Sequence, residues 1–186
     1  MTTKEMVYAA LFAALIAVLG LIPPISVGFI PVPITAQTLG VMLAGGFLGK
    51  KTGTISLVLF IVLVALGLPL LSGGRGGFSV LVGPSAGYIF SWPIAAFLIG
   101  LATEKVWSGL KVWKLLVINF LFGVILVSLI GAPVMALITQ TSIWAGLVGA
   151  LVYLPGDCIK AIIAAIIVLQ LKMVSPIEQK FNKEIE

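Results

Sequence analysis

The chain has 186 residues, 61% of them hydrophobic and 9% charged, with a mean hydropathy of +1.27. Soluble domains average about 25% charged residues, so the composition excludes a water-soluble globule and points to an integral membrane protein. The formal net charge of +5 comes from basic residues scattered between apolar runs, which argues against nucleic acid and for topology signals facing an anionic leaflet.

A membrane helix needs about 20 mostly apolar residues, with proline, glycine and charges marking its ends. The first span is expected at about 4–22, stopped by Pro23-Pro24. Its outline resembles a signal peptide, but Glu5 in the leading segment and the lack of a polar mature domain predict a retained helix. A charge-free loop, 25–33, leads to a second span at about 34–48. Lys50-Lys51 mark a tight turn before a third span at about 54–66, and a glycine-rich connection follows over 67–87. The fourth span is expected at about 88–103, ending before Glu104-Lys105. Lys111 and Lys114 precede the fifth, about 115–130, which Gly131 and Pro133 close. The stretch 134–154 is read as a short or partly inserted helix. The last span starts near Pro155, a favourable first-turn residue, and ends at Lys172. The expected fold is an all-α single domain over residues 1–186: a compact bundle of six transmembrane helices with a long glycine-rich outer loop between helices three and four.

Sorting the basic residues by loop orients this bundle. Lys4, Lys50, Lys51, Lys105, Lys111, Lys114, Lys172, Lys180 and Lys183 fall on the side of the two termini. The opposite loops carry Arg75, and Lys160 sits near that surface. The positive-inside rule therefore predicts a multi-pass protein of the cell membrane with both termini cytoplasmic.

Asp157 and Lys160 interrupt the apolar sequence and are the sole charges between Lys114 and Lys172. Three residues apart, they share one helical face. A charge at the centre of a membrane helix costs about 2.5–3.5 kcal/mol on insertion scales. An internal ion pair that fixes the bundle is one explanation. A ligand site is the better one, because buried pairs seldom add net stability and membrane charges mark ligand or ion pathways. Asp157 lies in the first turn of its helix, where the dipole favours a carboxylate.

Other polar groups cluster on the same outer side. In the glycine-rich loop, Gly73, Gly74 and Ser79 flank the loop's single charge, Arg75. That charge either pairs with a ligand carboxylate or rests at a solvated tip or lipid headgroup. Tyr88 and Trp92, four apart, line one face of span four, as ligand-stacking rings or interfacial anchors. Thr35, Gln37 and Thr38 begin span two, where hydrogen bonding between helices is the alternative to ligand contact. Asn119 reads as packing glue. In span one, Ala9, Ala13 and Ala17 form a stripe with Ala10 and Ala14 beside it, suited to close helix approach either inside the bundle or against a partner. The segment Gly46-Phe47-Leu48-Gly49-Lys50-Lys51-Thr52 imitates a phosphate loop but lacks the first glycine and the Ser/Thr after the lysine. With one cysteine, Cys158, and no histidine, an internal disulfide framework and Cys/His metal sites are excluded. No acid/base pair for a membrane enzyme is present either, so no cofactor is expected.

Gly83-Pro84-x-x-Gly87-Tyr88 after the glycine-rich loop, Pro155-Gly156-Asp157-x-x-Lys160, Pro33-Ile34-Thr35-x-Gln37-Thr38 and the alanine stripe together resemble the BioY family. Its members are the biotin-specific substrate-capture (S) components of energy-coupling factor (ECF) transporters. The resemblance covers essentially the whole chain. It implies a six-helix S component that binds biotin from outside, with a transmembrane coupling subunit and a pair of cytoplasmic ATPases as partners. The alanine stripe would contact the coupling subunit, and ATP hydrolysis would tilt the loaded component. On this reading Asp157 accepts from the ureido N–H groups, and Lys160 donates to the ureido carbonyl or pairs with the carboxylate. Tyr88 and Trp92 cover the sulfur ring, while backbone around Gly73, Gly74 and Ser79 closes the mouth. The competing function is a stand-alone proton- or ion-coupled carrier of a small vitamin-like molecule, with Asp157 titrating against Lys160.

Overall fold

The structure, a computed structural model, describes residues 2–28 and 30–178. Lys180 and Lys183, counted above in the charge sorting, lie outside the described residues. The elements are α1 (Thr3–Gly20), α2 (Gln37–Ala65), the single turn α3 (Phe78–Leu81) and α4 (Ala86–Lys105). Next, α5 (Val112–Ile118) continues through a π-helical stretch, Asn119–Ile125, into α6 (Leu126–Ile138). Then come α7 (Ile143–Ala150) and α8 (Leu154–Gln170), joined by one tight turn, Leu151–Tyr153, and a short turn, Lys172–Val174, follows. Among the described residues there is no strand, only two isolated bridges, Ile25 with Ile34 and Leu71 with Arg75. All-helical architecture follows from the composition, since in hydrocarbon every backbone N–H and C=O must be satisfied within its own segment.

Among the described residues five helical stretches are long and apolar enough to cross a membrane: Thr3–Gly20, Gln37–Ala65, Ala86–Lys105, Val112–Ile138 and Ile143–Gln170. The second makes two passes. At Gly49 the backbone leaves the helix (φ 79°, ψ 177°), a left-handed conformation that favours glycine. It divides α2 into arms 37–48 and 50–65. The arms pack antiparallel, because a Cβ added to Gly53 would lie 2.6 Å from the carbonyl oxygen of Ala44. Glu104 of α4 clamps the turn: its Oε1 accepts the Lys50 backbone N–H at 2.8 Å and its Oε2 lies 3.3 Å from Lys50 Nζ. A carboxylate at the first turn of the second arm also suits the helix dipole.

The other passes follow from their contacts. Thr2, Lys4, Lys50, Lys51, Glu104 and Ile177 surround one cavity of about 580 Å³. The first and last described segments therefore meet at the end that holds the hairpin turn, here called the basic end. At the opposite end, Gln37 donates to the Leu70 carbonyl at 3.0 Å, which brings the start and finish of α2 together. Exposed Val7, Leu11, Phe90, Ile94, Ile159 and Ile166 face outward, as lipid-facing residues should. Leu57, Phe60, Ile99 and Leu115 are fully buried between helices.

One expectation about a boundary is corrected. Gly131 and Pro133 do not close the fifth pass, which runs on to Ile138. Proline removes one helical N–H, and neighbouring helices can compensate for it in a membrane bundle. Gly131 is needed for contact, since a Cβ there would collide with the Tyr88 ring. Within the stretch 134–154 the expected short helix is present as α7, and it forms the top of a helical hairpin with α6. Ser142 caps α7 by accepting the Ala145 N–H at 3.1 Å, and α7 packs back on α6 through Gly146 against the Ala132 carbonyl.

Candidate functional site

The cavity opposite the basic end is walled by four helices and two connections. Its lining includes Thr35, Gln37 and Thr38 at the start of α2, Tyr88 and Trp92 of α4, and Val127 and Ser128 of α6. Tyr153, Asp157 and Lys160 come from the start of α8, and Arg75 from the glycine-rich connection.

Asp157 and Lys160 form the predicted pair, Nζ to Oδ1 at 2.7 Å, with side chains almost wholly buried. Lys160 Nζ also donates to the Thr35 carbonyl at 2.7 Å and to Thr38 Oγ1 at 2.8 Å. An ammonium has three N–H donors, so all three are engaged within the protein. Thr38 Oγ1 in turn donates to Asp157 Oδ1 at 3.2 Å. Among the described residues nothing bonds Asp157 Oδ2. The result is a carboxylate held rigidly by one oxygen, with its other oxygen unoccupied on a group that lines the cavity.

Arg75 reaches the cavity through a tight turn. Leu71 and Arg75 exchange two backbone hydrogen bonds, N to O at 2.9 and 3.2 Å, around Gly73 and Gly74 with φ of 78° and 69°. The guanidinium donates from Nε to the Ser72 carbonyl at 3.1 Å and from Nη1 to Ser85 Oγ at 3.4 Å. Neither described salt bridge involves it, so its charge meets no acidic side chain among the described residues. Gln37 supports this turn. Its amide donates to the Ile16 and Leu70 carbonyls at 3.1 and 3.0 Å, and its oxygen accepts the Ser72 N–H at 3.1 Å.

The predicted site residues thus divide. Asp157, Lys160, Arg75, Tyr88, Trp92, Thr35 and Gln37 come together around one cavity. Gln37 serves it indirectly, since its amide is engaged by protein at both ends, and Thr35 contributes its backbone carbonyl to Lys160. Gly73, Gly74 and Ser79 do not reach the cavity: all three are exposed, the glycines shaping the Arg75 turn and Ser79 riding on α3. Tyr88 meets Tyr153 edge-on, with ring centroids 5.8 Å apart, and Tyr153 OH donates to the Val32 carbonyl at 2.6 Å. Tyr153, Ser85 and Ser128 were missed in the sequence. Tyr153 and Ser128 are single polar groups within apolar runs, while Ser85 falls on an unspecified position of Gly83-Pro84-x-x-Gly87-Tyr88. Asn119, read as glue, donates to the Ala161 carbonyl at 3.4 Å and so ties the π-helical stretch to α8.

The alanine stripe splits between two faces. Ala9 and Ala13 are buried beside Phe12 and Ile16, Ala17 is half-buried, and Ala10 and Ala14 are exposed. Among the described residues no three His, Cys, Asp or Glu come together as a metal site.

The cavity measures about 60 Å³, below the ~300–1,000 Å³ usual for small-molecule pockets. Two chain connections, Val32–Thr35 and Leu71–Ser85, form the walls that no long helix supplies.

Comparison with known proteins gives consistent results. A sequence profile described as the BioY family matches residues 1–176. A probable biotin transporter BioY of Bacillus subtilis is 45% identical over 167 residues, covering 90% of this chain and 89% of that protein. The biotin transporter BioY of Lactococcus lactis is 43% identical over 182 residues, covering 97% of this chain and 96% of its own. Among solved structures, the S-component for biotin from an ECF-type ABC transporter superposes with a TM-score of 0.88. It is 43% identical, and the match covers 92% of this chain and 94% of that one.

Proposed function

Since this chain belongs to the BioY family, we propose that it captures biotin as the substrate-binding subunit of an ECF-type ABC transporter. It is a multi-pass membrane protein and a transport component, not an enzyme. The segment 44–52 that imitates a phosphate loop is the bend of the α2 hairpin, so nucleotide hydrolysis falls to partner ATPases.

The observation that carries the ligand assignment is the half-occupied carboxylate of Asp157 beside a cation without an acidic partner. Biotin presents a ureido ring with two N–H donors, an apolar sulfur ring and a carboxylate tail. Asp157 Oδ2 accepts from the ureido N–H groups, Lys160 and Thr38 hold Asp157 in place, and Arg75 meets the tail. Apolar Val32, Leu71, Ile89 and Val127 in the cavity wall suit the sulfur ring. The pocket end faces outward and the basic end faces the cytoplasm, by the positive-inside rule. The exposed part of the alanine stripe, Ala10 and Ala14, supports docking to the membrane coupling subunit, since small residues allow close helix approach.

Biotin titration of the purified chain and two variants tests the site. Asp157→Asn removes the acceptor charge and leaves Lys160 unpaired, while Lys160→Ala frees Asp157 from its anchor. Each is expected to weaken biotin binding at least tenfold, with helical content intact. Superimposable titration curves for both folded variants would refute the assignment. Mass spectrometry of the denatured wild-type protein should show co-purified biotin.

A further inference from the structure

A hydrogen-bond inventory of the cavity identifies its free donors. All three donors of Lys160 are engaged by Thr35, Thr38 and Asp157. Gln37 is engaged at both ends of its amide, and Tyr153 donates to Val32. By contrast, two buried groups lining the cavity have no hydrogen-bond partner among the described residues, the hydroxyl of Tyr88 and the indole Nε1 of Trp92, and of the two the indole alone is unable to accept. Trp92 is 4% exposed and lines the cavity one helical turn below Tyr88. Phe60 packs against its ring, with centroids 6.1 Å apart, which restrains the indole. Buried polar groups in native proteins are nearly always paired, and an exception calls for a functional explanation. Indole nitrogen can only donate, so the missing partner is an acceptor.

We propose that the Trp92 N–H, and not the Lys160 ammonium, donates to the ring carbonyl of the bound ligand. This rests on the reading of the cavity as a biotin site. It replaces the role first expected of Trp92, a cover for the sulfur ring, with that of a specificity-determining donor. Lys160 could reach the same carbonyl only by releasing a bond that holds Asp157 or the start of α2. Asp157 as acceptor and Trp92 as donor then present to the ligand the complement of a cyclic urea, N–H on one side and C=O on the other. Such a site discriminates against an analogue that lacks the matching group, because its own buried donor is then left unpaired.

The test compares biotin with its 2-thio analogue, in which the ring carbonyl becomes a poorly accepting thiocarbonyl. Wild-type protein is expected to bind biotin more tightly than the analogue. Trp92→Phe, which keeps an aromatic ring against Phe60, should lose about tenfold in biotin affinity. Affinity for the thio analogue should change little, so that the preference collapses. Where Trp92→Phe fails to fold, benzothienylalanine at position 92 keeps the indole shape without its N–H and serves instead. Unchanged biotin affinity, or an equal loss for both ligands as a packing role would give, overturns the donor assignment. A preference that vanishes in Lys160→Met but survives in Trp92→Phe also overturns it. Failure of the wild-type protein to bind either ligand sinks the biotin reading itself, and the donor assignment with it.

Discussion

Gln37 stands where three segments meet: the end of α1, the start of α2 and the chain leading to Arg75. Its four hydrogen-bonding positions reach the Ile16 and Leu70 carbonyls and the Ser72 backbone and hydroxyl. Replacing it with leucine keeps the volume but strands the Ser72 N–H and the Leu70 carbonyl in a buried place. An unsatisfied buried group costs about 1–3 kcal/mol, and each kcal/mol lowers Tm by about 2–4 °C in a chain of this length. Gln37→Leu is therefore expected to lower the melting temperature in detergent by about 4 °C or more. It should also weaken biotin binding, because the Arg75 turn loses its support. An unchanged Tm would show that the clasp contributes nothing. At this scale the sequence identified the polar groups but not their duties. Thr35, Gln37 and Thr38 form an evident cluster, yet Gln37 is bound by residues 21 to 35 positions away, a distance no local pattern encodes.

The faces of α1 illustrate a limit that applies to whole helices. In a soluble protein, polar residues mark the outer face of a helix and fix its rotation. Here lipid and core are both apolar, so hydropathy does not distinguish Ala9 and Ala13, which are buried, from Ala10 and Ala14, which are exposed. That is why the stripe admits both packing and partner readings, while the structure buries Ala9 and Ala13 and leaves Ala10 and Ala14 exposed. The same blindness let Gly131 and Pro133 pass as terminators, when one receives a tyrosine ring and the other sits inside a continuing helix. The two faces of α1 should respond differently to added bulk. Ala13→Leu pushes into a filled core, where overpacking costs about 1–3 kcal/mol, and should lower Tm and biotin binding together. Ala14→Trp changes an exposed surface, so purified protein should keep its melting temperature and biotin affinity. In cells that also express the coupling subunit and ATPases, Ala14→Trp should lose most of its biotin uptake. Full uptake by Ala14→Trp would remove this face from the docking surface.

Over the whole molecule, the features most legible in the sequence are those set by single strong terms. Apolar run length gave the helical passes, Lys50-Lys51 gave the hairpin turn, and the lone Asp157 and Lys160 pointed to the cavity that they line. The full lining of the cavity and the engagement of Lys160 came only from tertiary contacts. Orientation depends on a strong term of the same kind. Lys4, Lys50, Lys51, Lys105, Lys111, Lys114 and Lys172 gather at one end of the bundle, whereas the other end holds Arg75 and the internally bonded Lys160. Near an anionic leaflet each surface lysine contributes about 1 kcal/mol, so even partial screening leaves a large preference for the basic end on the cytoplasmic side. Cys158 is the single native cysteine, and in a Cys158→Ser background one introduced thiol reports on one location. Ser79→Cys, on an exposed turn outside the cavity, should react with a membrane-impermeant maleimide in intact cells. Lys51→Cys, exposed at the hairpin bend, should react only once the cells are made permeable. The reverse pattern would invert the molecule and place the biotin cavity on the cytoplasmic side, where it could not capture an external vitamin.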